Sequence, residues 1–160
     1  MEISDASAED APAACLVLRR SISELRGADH TNDPAILREW LSNKTPEIVA
    51  SWIADPGAST LVAVECGIIL GVGAVTDAGV VTLNYVSPDA RFRGVSRALL
   101  AALETRAIQR GNGRCVLTST ATARRFYHAC GYVDDGPAAG RFGTTESYPM
   151  SKPLAPVRNS

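Results

Sequence analysis

Arginine and glycine supply the clearest chemical signature in this sequence. Between Arg91 and Arg125 stand eight arginines and a single acid, Glu104. The heart of the stretch is Arg91-Phe92-Arg93-Gly94-Val95-Ser96-Arg97. It lies between a β-branched strand pattern at residues 80–86 and an apolar helical face marked by Ala98, Leu99, Ala102, Leu103 and Ala107. A glycine loop that opens a helix offers unpaired backbone N–H groups and the positive end of the helix dipole to an anion. Arg91, Arg93 and Arg97 add charge beside it. Such a loop can hold a pyrophosphate without a metal. A solvated helix face is the plainer use of clustered arginines.

Three known strand–loop–helix chemistries can be set against these residues. A nucleotide-binding Walker loop needs Gly-Lys-Ser/Thr, but Gly94 is followed by Val95-Ser96, and the chain has only two lysines, Lys44 and Lys152. A dinucleotide fingerprint needs GxGxxG between strand and helix. Gly71-Val72-Gly73 lies inside a strand pattern with Thr76 at the third position, so those glycines read as a bulge or a close-packing site. Gly94-Val95-Ser96-Arg97-Ala98 is closer to a nucleophile elbow, with Ser96 as nucleophile. The later residues give it His128 and only Glu104 between, two turns along the helix of Ser96 and badly placed to orient that histidine. A serine hydrolase is therefore a remote alternative.

Arg91 to Ser96 resembles the Q/R-x-x-G-x-G/A loop of the GNAT family of acyl-CoA N-acyltransferases. Asn84-Tyr85-Val86-Ser87-Pro88 is similar to the strand before that loop. Thr120-x-x-Ala123-x-x-Phe126-Tyr127-x-x-x-Gly131-Tyr132 is similar to the family's N-x-x-A-x-x-F-Y-x-x-x-G-F/Y block, and residues 148–154 to its closing strand. The resemblance covers residues 60–154. Two positions depart from it. Ser96 stands in place of glycine or alanine close to the pyrophosphate, and Thr120 in place of an asparagine that often contacts the pantetheine arm or the sulfur.

The resemblance implies transfer of an acetyl group from acetyl-CoA to an amine, by direct attack and with no metal. It implies that Phe92, Gly94, Val95 and Ser96 present amides to the pyrophosphate, with Arg91, Arg93 and Arg97 beside them. The backbone of Val86 would hydrogen-bond the pantetheine and is a candidate oxyanion donor. Thr120 and Ala123 would border the same ligand. Tyr127 would protonate the leaving thiolate, with a packed core aromatic as its alternative role. Arg124 and Arg125 are candidates for the 3′-phosphate. The general base stays open among Glu65, Asp77, Glu146 and a water chain, with His128 and His30 less favoured; Asn84 and Tyr85 stand where some members of the family place a base or a water-holding residue, but neither is a good base itself. A non-catalytic acyl-CoA-binding or regulatory module on the same fold is the main alternative.

These residues need a scaffold. Apolar spacing predicts a short strand at residues 1–4 and helices near 8–26, 34–42 and 45–54. Three strands of a meander follow at 60–66, 68–76 and 80–86. Then come a helix ending at Gly111, a strand at 114–119, a helix at 120–130, and last strands near 132–133 and 141–150. Trp40 and Trp52 fall on amphipathic helices and read as core. This order is a mixed α+β sheet rather than a βαβ array. The family resemblance adds the expectation of a central, mostly antiparallel sheet with helices on both faces.

Length and charge set the remaining bounds. The chain has 160 residues, 46% of them apolar and 21% charged, enough for one domain with a real core. Residues 1–154 are expected to form it, with 155–160 a flexible tail. Residues 1–90 carry 13 acids and 5 bases, a net of −8; residues 91–160 carry 4 acids and 11 bases, a net of +7. The basic half suits an anionic donor. The acidic half, with Glu24, Asp29, Asp33 and Glu39, leans toward a cationic amine acceptor, small molecule or protein. Nucleic acid is disfavoured because the aromatics are not interleaved with the arginines. No apolar run is long enough for a membrane span, and the acidic start lacks a signal pattern, so a cytoplasmic location is expected. Cys15, Cys66, Cys115 and Cys130 form no CxxC pair and, with two histidines, give a metal little to bind. Oligomeric state is left open, a homodimer included.

Overall fold

The computed structural model describes residues 1–25, 33–137, 139–140 and 146–155. The first half runs β1 (Glu2–Asp5), a 3-10 turn (Ala8–Asp10), α1 (Ala11–Leu25), α2 (Pro34–Leu41), α3 (Pro46–Ala54), β2 (Ala58–Glu65), β3 (Ile68–Thr76) and β4 (Val81–Val86). A second 3-10 turn (Pro88–Ala90) leads to α4 (Val95–Gln109), β5 (Arg114–Thr120), α5 (Ala121–Ala129), β6 (Val133–Asp134), β7 (Ala139–Gly140) and β8 (Glu146–Pro153). This is the α+β order expected from the sequence.

Local chemistry explains most boundaries. Asp33 accepts a hydrogen bond from the Ala35 amide (2.8 Å) and Thr45 from the Ile48 amide (3.2 Å), each with proline next in the chain. The first helix differs from expectation. The Asp10 carboxylate accepts from the Ser7 amide at 2.8 Å, and the first turn is tightened into 3-10 form before α1 begins at Ala11. The helix after the arginine loop also starts earlier than its apolar face suggests. Val95 and Ser96 already belong to α4. The end of the first helix at Gly27 and the first part of the last expected strand, residues 141–145, lie outside the described residues, as do residues 156–160.

The sheet is two sheets. One has the order β1-β2-β3-β4, and the other β5-β8-β6 with β7 on β8. Every pairing within them is antiparallel. They touch at a single parallel bridge, Val80 to Val116, where the Val116 amide donates to the Gly79 carbonyl at 3.0 Å. Beyond it β4 and β5 part. Within β4, Val81 faces Val75 and Leu83 faces Ala74, so Thr82 is an extra residue, a β-bulge.

Side chains alternate between two helical layers. On one face Val95, Leu99, Leu100, Leu103 and Ala107 of α4 pack on Leu61, Ala63, Leu70 and Val75. On the other, Ala14, Cys15 and Leu18 of α1 and Val49 of α3 pack on Val62 and Val72. Glu104, the lone acid of the basic stretch, clips α4 to the second sheet. It accepts from the Tyr132 hydroxyl and from the Lys152 ammonium, both at 2.9 Å. Burial and this carboxylate hold the Tyr132 hydroxyl far above its ordinary pKa, so it stays a proton donor.

Gly71 and Gly73 are close-packing positions. A Cβ at Gly71 would lie 2.7 Å from Leu99 Cδ1 and 2.8 Å from Val95 Cγ1; one at Gly73 would lie 3.0 Å from Leu103 Cδ1. Their absent side chains let α4 settle onto β3. Gly71→Val is therefore expected to destabilise the fold by about 2 kcal/mol through overpacking. It should also push the first turn of α4 outward and weaken anion binding there. Gly136→Ala, with no atom in its way, should leave the melting temperature unchanged. Thermal melts of both variants test this.

Candidate active site

The parting of β4 and β5 creates a cleft between the two sheets. Its walls are Val81–Tyr85 from β4 and Leu117–Thr120 from β5, with Ala123 and Tyr127 of α5 at its side. The ladder fixes which backbone groups enter it. The Ser87 amide donates to the Leu70 carbonyl at 2.7 Å, and the register runs unbroken from Val86 opposite Gly71 to Leu83 opposite Ala74. Hydrogen bonding alternates along an antiparallel pair. Leu83, Tyr85 and Ser87 thus bond to β3, whereas the N–H and C=O groups of Asn84 and Val86 point away from it, into the gap. The Asn84 side chain lines the same cleft. It is 8% exposed, and its Oδ1 has no hydrogen-bond partner. A buried amide oxygen costs free energy unless something donates to it. The cleft therefore suits a ligand with amide N–H groups.

At the open end of β4 the chain turns through Pro88–Ala90 into the arginine loop. Gly94 adopts φ +79° as the residue before α4. Phe92 takes φ +62° and is 93% exposed. The first amides of α4 have no helical partner and face outward past Gly94. The arginines divide. Arg93 is spent on Glu65 at 2.6 Å. Arg91 stacks on the Phe92 ring, 4.7 Å from its centroid, and neither Arg91 nor Arg97 has an ion pair among the described residues. Val95 is buried in the core and contributes only backbone, while Ser96 is half-buried in the first turn.

From α5, Thr120 caps the helix, its hydroxyl accepting from the Ala123 amide at 3.3 Å. That engagement accounts for a threonine there. Tyr127 is 8% exposed and packs edge-on against Tyr132 and Phe126, with ring centroids 5.6 and 5.1 Å away. It is packed in the core and also lines the cleft. Arg124 is drawn off to Asp134 at 2.8 Å and lies over the Tyr148 ring, whereas Arg125 is exposed and has no ion pair among the described residues.

Several candidates for a base are placed elsewhere. Asp77 lies 3.6 Å from Arg110, and Glu65 is on Arg93. His128 is exposed and 3.3 Å from Asp134, with no hydrogen bond to Ser96, so the described residues assemble no serine-hydrolase triad. His30 and the Glu146 side chain lie outside the described residues. Among the described residues no carboxylate or histidine lines the cleft. A second cavity adjoins it and brings in residues that sequence spacing did not single out: Lys44, Asp55 and Thr60, with Trp52 as a wall. They come from separate elements, so no local motif could have marked them. No helix among the described residues is long and apolar enough to cross a membrane, and no cluster of three or more metal-binding side chains occurs among them.

Known structures share this architecture. A GCN5-related N-acetyltransferase from Rhodopseudomonas palustris superimposes with a TM-score of 0.84 at 24% identity, covering 96% of this chain and 95% of that one. The PaiA N-acetyltransferase from Thermoplasma acidophilum, solved in complex with coenzyme A, gives 0.78 at 16% identity, covering 96% and 98%. An aminoglycoside 6′-N-acetyltransferase from Enterococcus faecium gives 0.73 at 16%, covering 99% and 100%. At these identities the likeness is one of fold. No curated protein matches the sequence. The model of the acetyltransferase (GNAT) domain family matches residues 26–154. With the loop, the parted strands and Tyr127 all inside that span, the chain belongs to the GNAT acetyltransferase family.

Proposed function

We propose that this acetyl-CoA-dependent N-acetyltransferase holds its donor in the cleft between β4 and β5, and that the residues named there divide the work. The supporting observation is the gap itself, into which the backbone groups of Asn84 and Val86 and the unpartnered Asn84 oxygen are turned. The pantetheine arm presents amide groups at that spacing and would add the strand that β5 does not supply. The amides from Phe92 to Arg97 would receive the pyrophosphate at the head of α4, with Arg91 and Arg97 as the uncommitted cations. Ser96 would stand at the helix start with a hydroxyl able to donate to a phosphate oxygen.

Acetyl-CoA supplies an activated acyl group as a thioester. The chain's own groups do the rest. An acceptor amine has a pKa near ~10.4 and reacts only after losing a proton. The Val86 N–H is placed to donate to the carbonyl oxygen as negative charge grows there. As the new C–N bond forms and the C–S bond breaks, the Tyr127 hydroxyl gives its proton to the sulfur. The amine proton leaves through the adjoining cavity, where Asp55 is the one carboxylate among the lining residues. A cytoplasmic setting suits the four free cysteines.

Two outcomes follow. Tyr127→Phe should lower kcat by about 10²-fold with little change in acetyl-CoA affinity. A variant with unchanged kcat would remove Tyr127 from the proton path. Acetyl-CoA should bind about tenfold more tightly than its 3′-dephospho form, through one charge-assisted contact, and Arg125→Gln should remove that difference. Calorimetric titration of both donors measures it, and equal affinities in the unaltered protein would release Arg125 from the role. Acetyl-CoA binding without transfer to any amine would favour a regulatory module instead.

A further inference from the structure

The second cavity has a charge pattern of its own. It encloses about 370 Å³, within the range of small-molecule sites. Thr82, Leu83 and Tyr85 line both it and the donor cleft, so a molecule seated in it meets the cleft at β4. Among the described residues its walls carry one cation, Lys44, and one anion, Asp55, beside the rings of Trp52 and Tyr85.

Lys44 has no counter-ion among the described residues. The other lysine of the chain, Lys152, is paired with Glu104. Lys44 instead donates to the neutral Asn43 Oδ1 at 2.5 Å and sits 5.8 Å from the Trp52 ring centre. It has no ion pair among the described residues, and burial lowers its pKa. Its backbone is nonetheless anchored. The Lys44 carbonyl accepts from Arg19 Nη1 at 2.9 Å and from Cys15 Sγ at 3.1 Å, which ties the segment to α1. Thr60 adds a second unmet demand. It is 7% exposed, lines the same cavity, and its hydroxyl has no hydrogen-bond partner. Across the cavity, one Asp55 oxygen accepts from the Gly57 amide at 2.8 Å, leaving the other to a ligand. Meanwhile part of the acidic surface that would favour a purely cationic acceptor is engaged. Glu24 is paired with Arg20, and Asp33 caps α2.

We infer that this cavity is the acceptor site and that the acceptor is a zwitterion, an amino acid or close derivative, whose carboxylate pairs with Lys44 and whose ammonium enters along Asp55. The inference rests on the acetyltransferase reading above. A free carboxylate supplies the charge that Lys44 lacks and an acceptor for the Thr60 hydroxyl. The ammonium gives a proton to water beside Asp55, and the neutral amine attacks the thioester carbon on the side of the shared wall; the C–N bond forms as the C–S bond breaks, the amine's second proton passes to water, and coenzyme A leaves as the thiol protonated by Tyr127.

The test uses matched sets: an amino acid, its carboxamide and its decarboxylated amine, with small, acidic, basic and aromatic side chains. Acetyl transfer is followed as release of free thiol from acetyl-CoA. The full-length protein should favour the carboxylate member of at least one set by about tenfold or more in kcat/KM. Lys44→Met and Lys44→Gln should raise KM for that member by a similar factor, leave kcat nearly intact, and abolish the preference. Lys44→Glu should shift preference to the decarboxylated amine. Equal or better use of the decarboxylated amines, or a preference that survives Lys44→Met in a folded variant, overturns the inference and leaves the acetyltransferase reading standing. Transfer to no carboxylate member also overturns it. Acetyl-CoA binding by the same sample then shows whether the donor-site reading survives alone.

Discussion

Everything at this site depends on two strands that do not pair. A parallel sheet gains a hydrogen bond for nearly every residue brought into register, so a gap between neighbouring strands is costly unless something else holds them. Here β4 and β5 share one bridge, Val80 to Val116, and then separate. The halves are held from below. Leu99, Leu100 and Leu103 of α4 lie in one core with β2 and β3 and with Leu117 of β5. Glu104 ties the same helix to Tyr132 and Lys152 on the far side. Apolar packing and one partly buried carboxylate thus offset the hydrogen bonds that the gap forgoes. The forgone groups are the ones a ligand can use.

The same helix connects the gap to the anion loop. Gly71 and Gly73 let α4 approach β3 closely, and that approach sets where its first turn, with Val95 and Ser96, presents its amides. The bulge at Thr82 acts at the other end of β4. It sends Leu83 and Tyr85 to the α1 and α3 layer and leaves Asn84 and Val86 facing the gap. The proposed donor cleft and the proposed acceptor cavity therefore meet across one strand. A change in α4 packing reaches the chemistry through position, with no contact to either ligand.

Much of this was legible in the chain. Apolar periodicity and the Asp33-Pro34 and Thr45-Pro46 caps marked the early helices. The loop from Arg91 to Ser96 and the block from Thr120 to Tyr132 carried the family resemblance, because a pyrophosphate site and its supporting helix leave a local pattern. Charge was less informative. Eight arginines pointed to an anionic ligand without saying which of them would meet it, and Arg93, Arg106, Arg110 and Arg124 are engaged with Glu65, Asp5, Asp77 and Asp134. Which arginine is free depends on tertiary neighbours. The second cavity, proposed to take the acceptor, was invisible for the same reason. Lys44, Asp55 and Thr60 lie on separate elements, and no period or spacing links them.

The account turns on the backbone groups of Asn84 and Val86 being open to the donor, while Leu83 and Tyr85 are already bonded to β3. Residue-resolved amide hydrogen exchange, with and without saturating acetyl-CoA, tests that alternation directly. The account predicts that the amides of Asn84 and Val86 exchange fast in the free protein and slow when acetyl-CoA is added, with Leu83 and Tyr85 protected in both states. Equal protection at all four positions before addition, or no change at Asn84 and Val86 in protein saturated with acetyl-CoA, would contradict it.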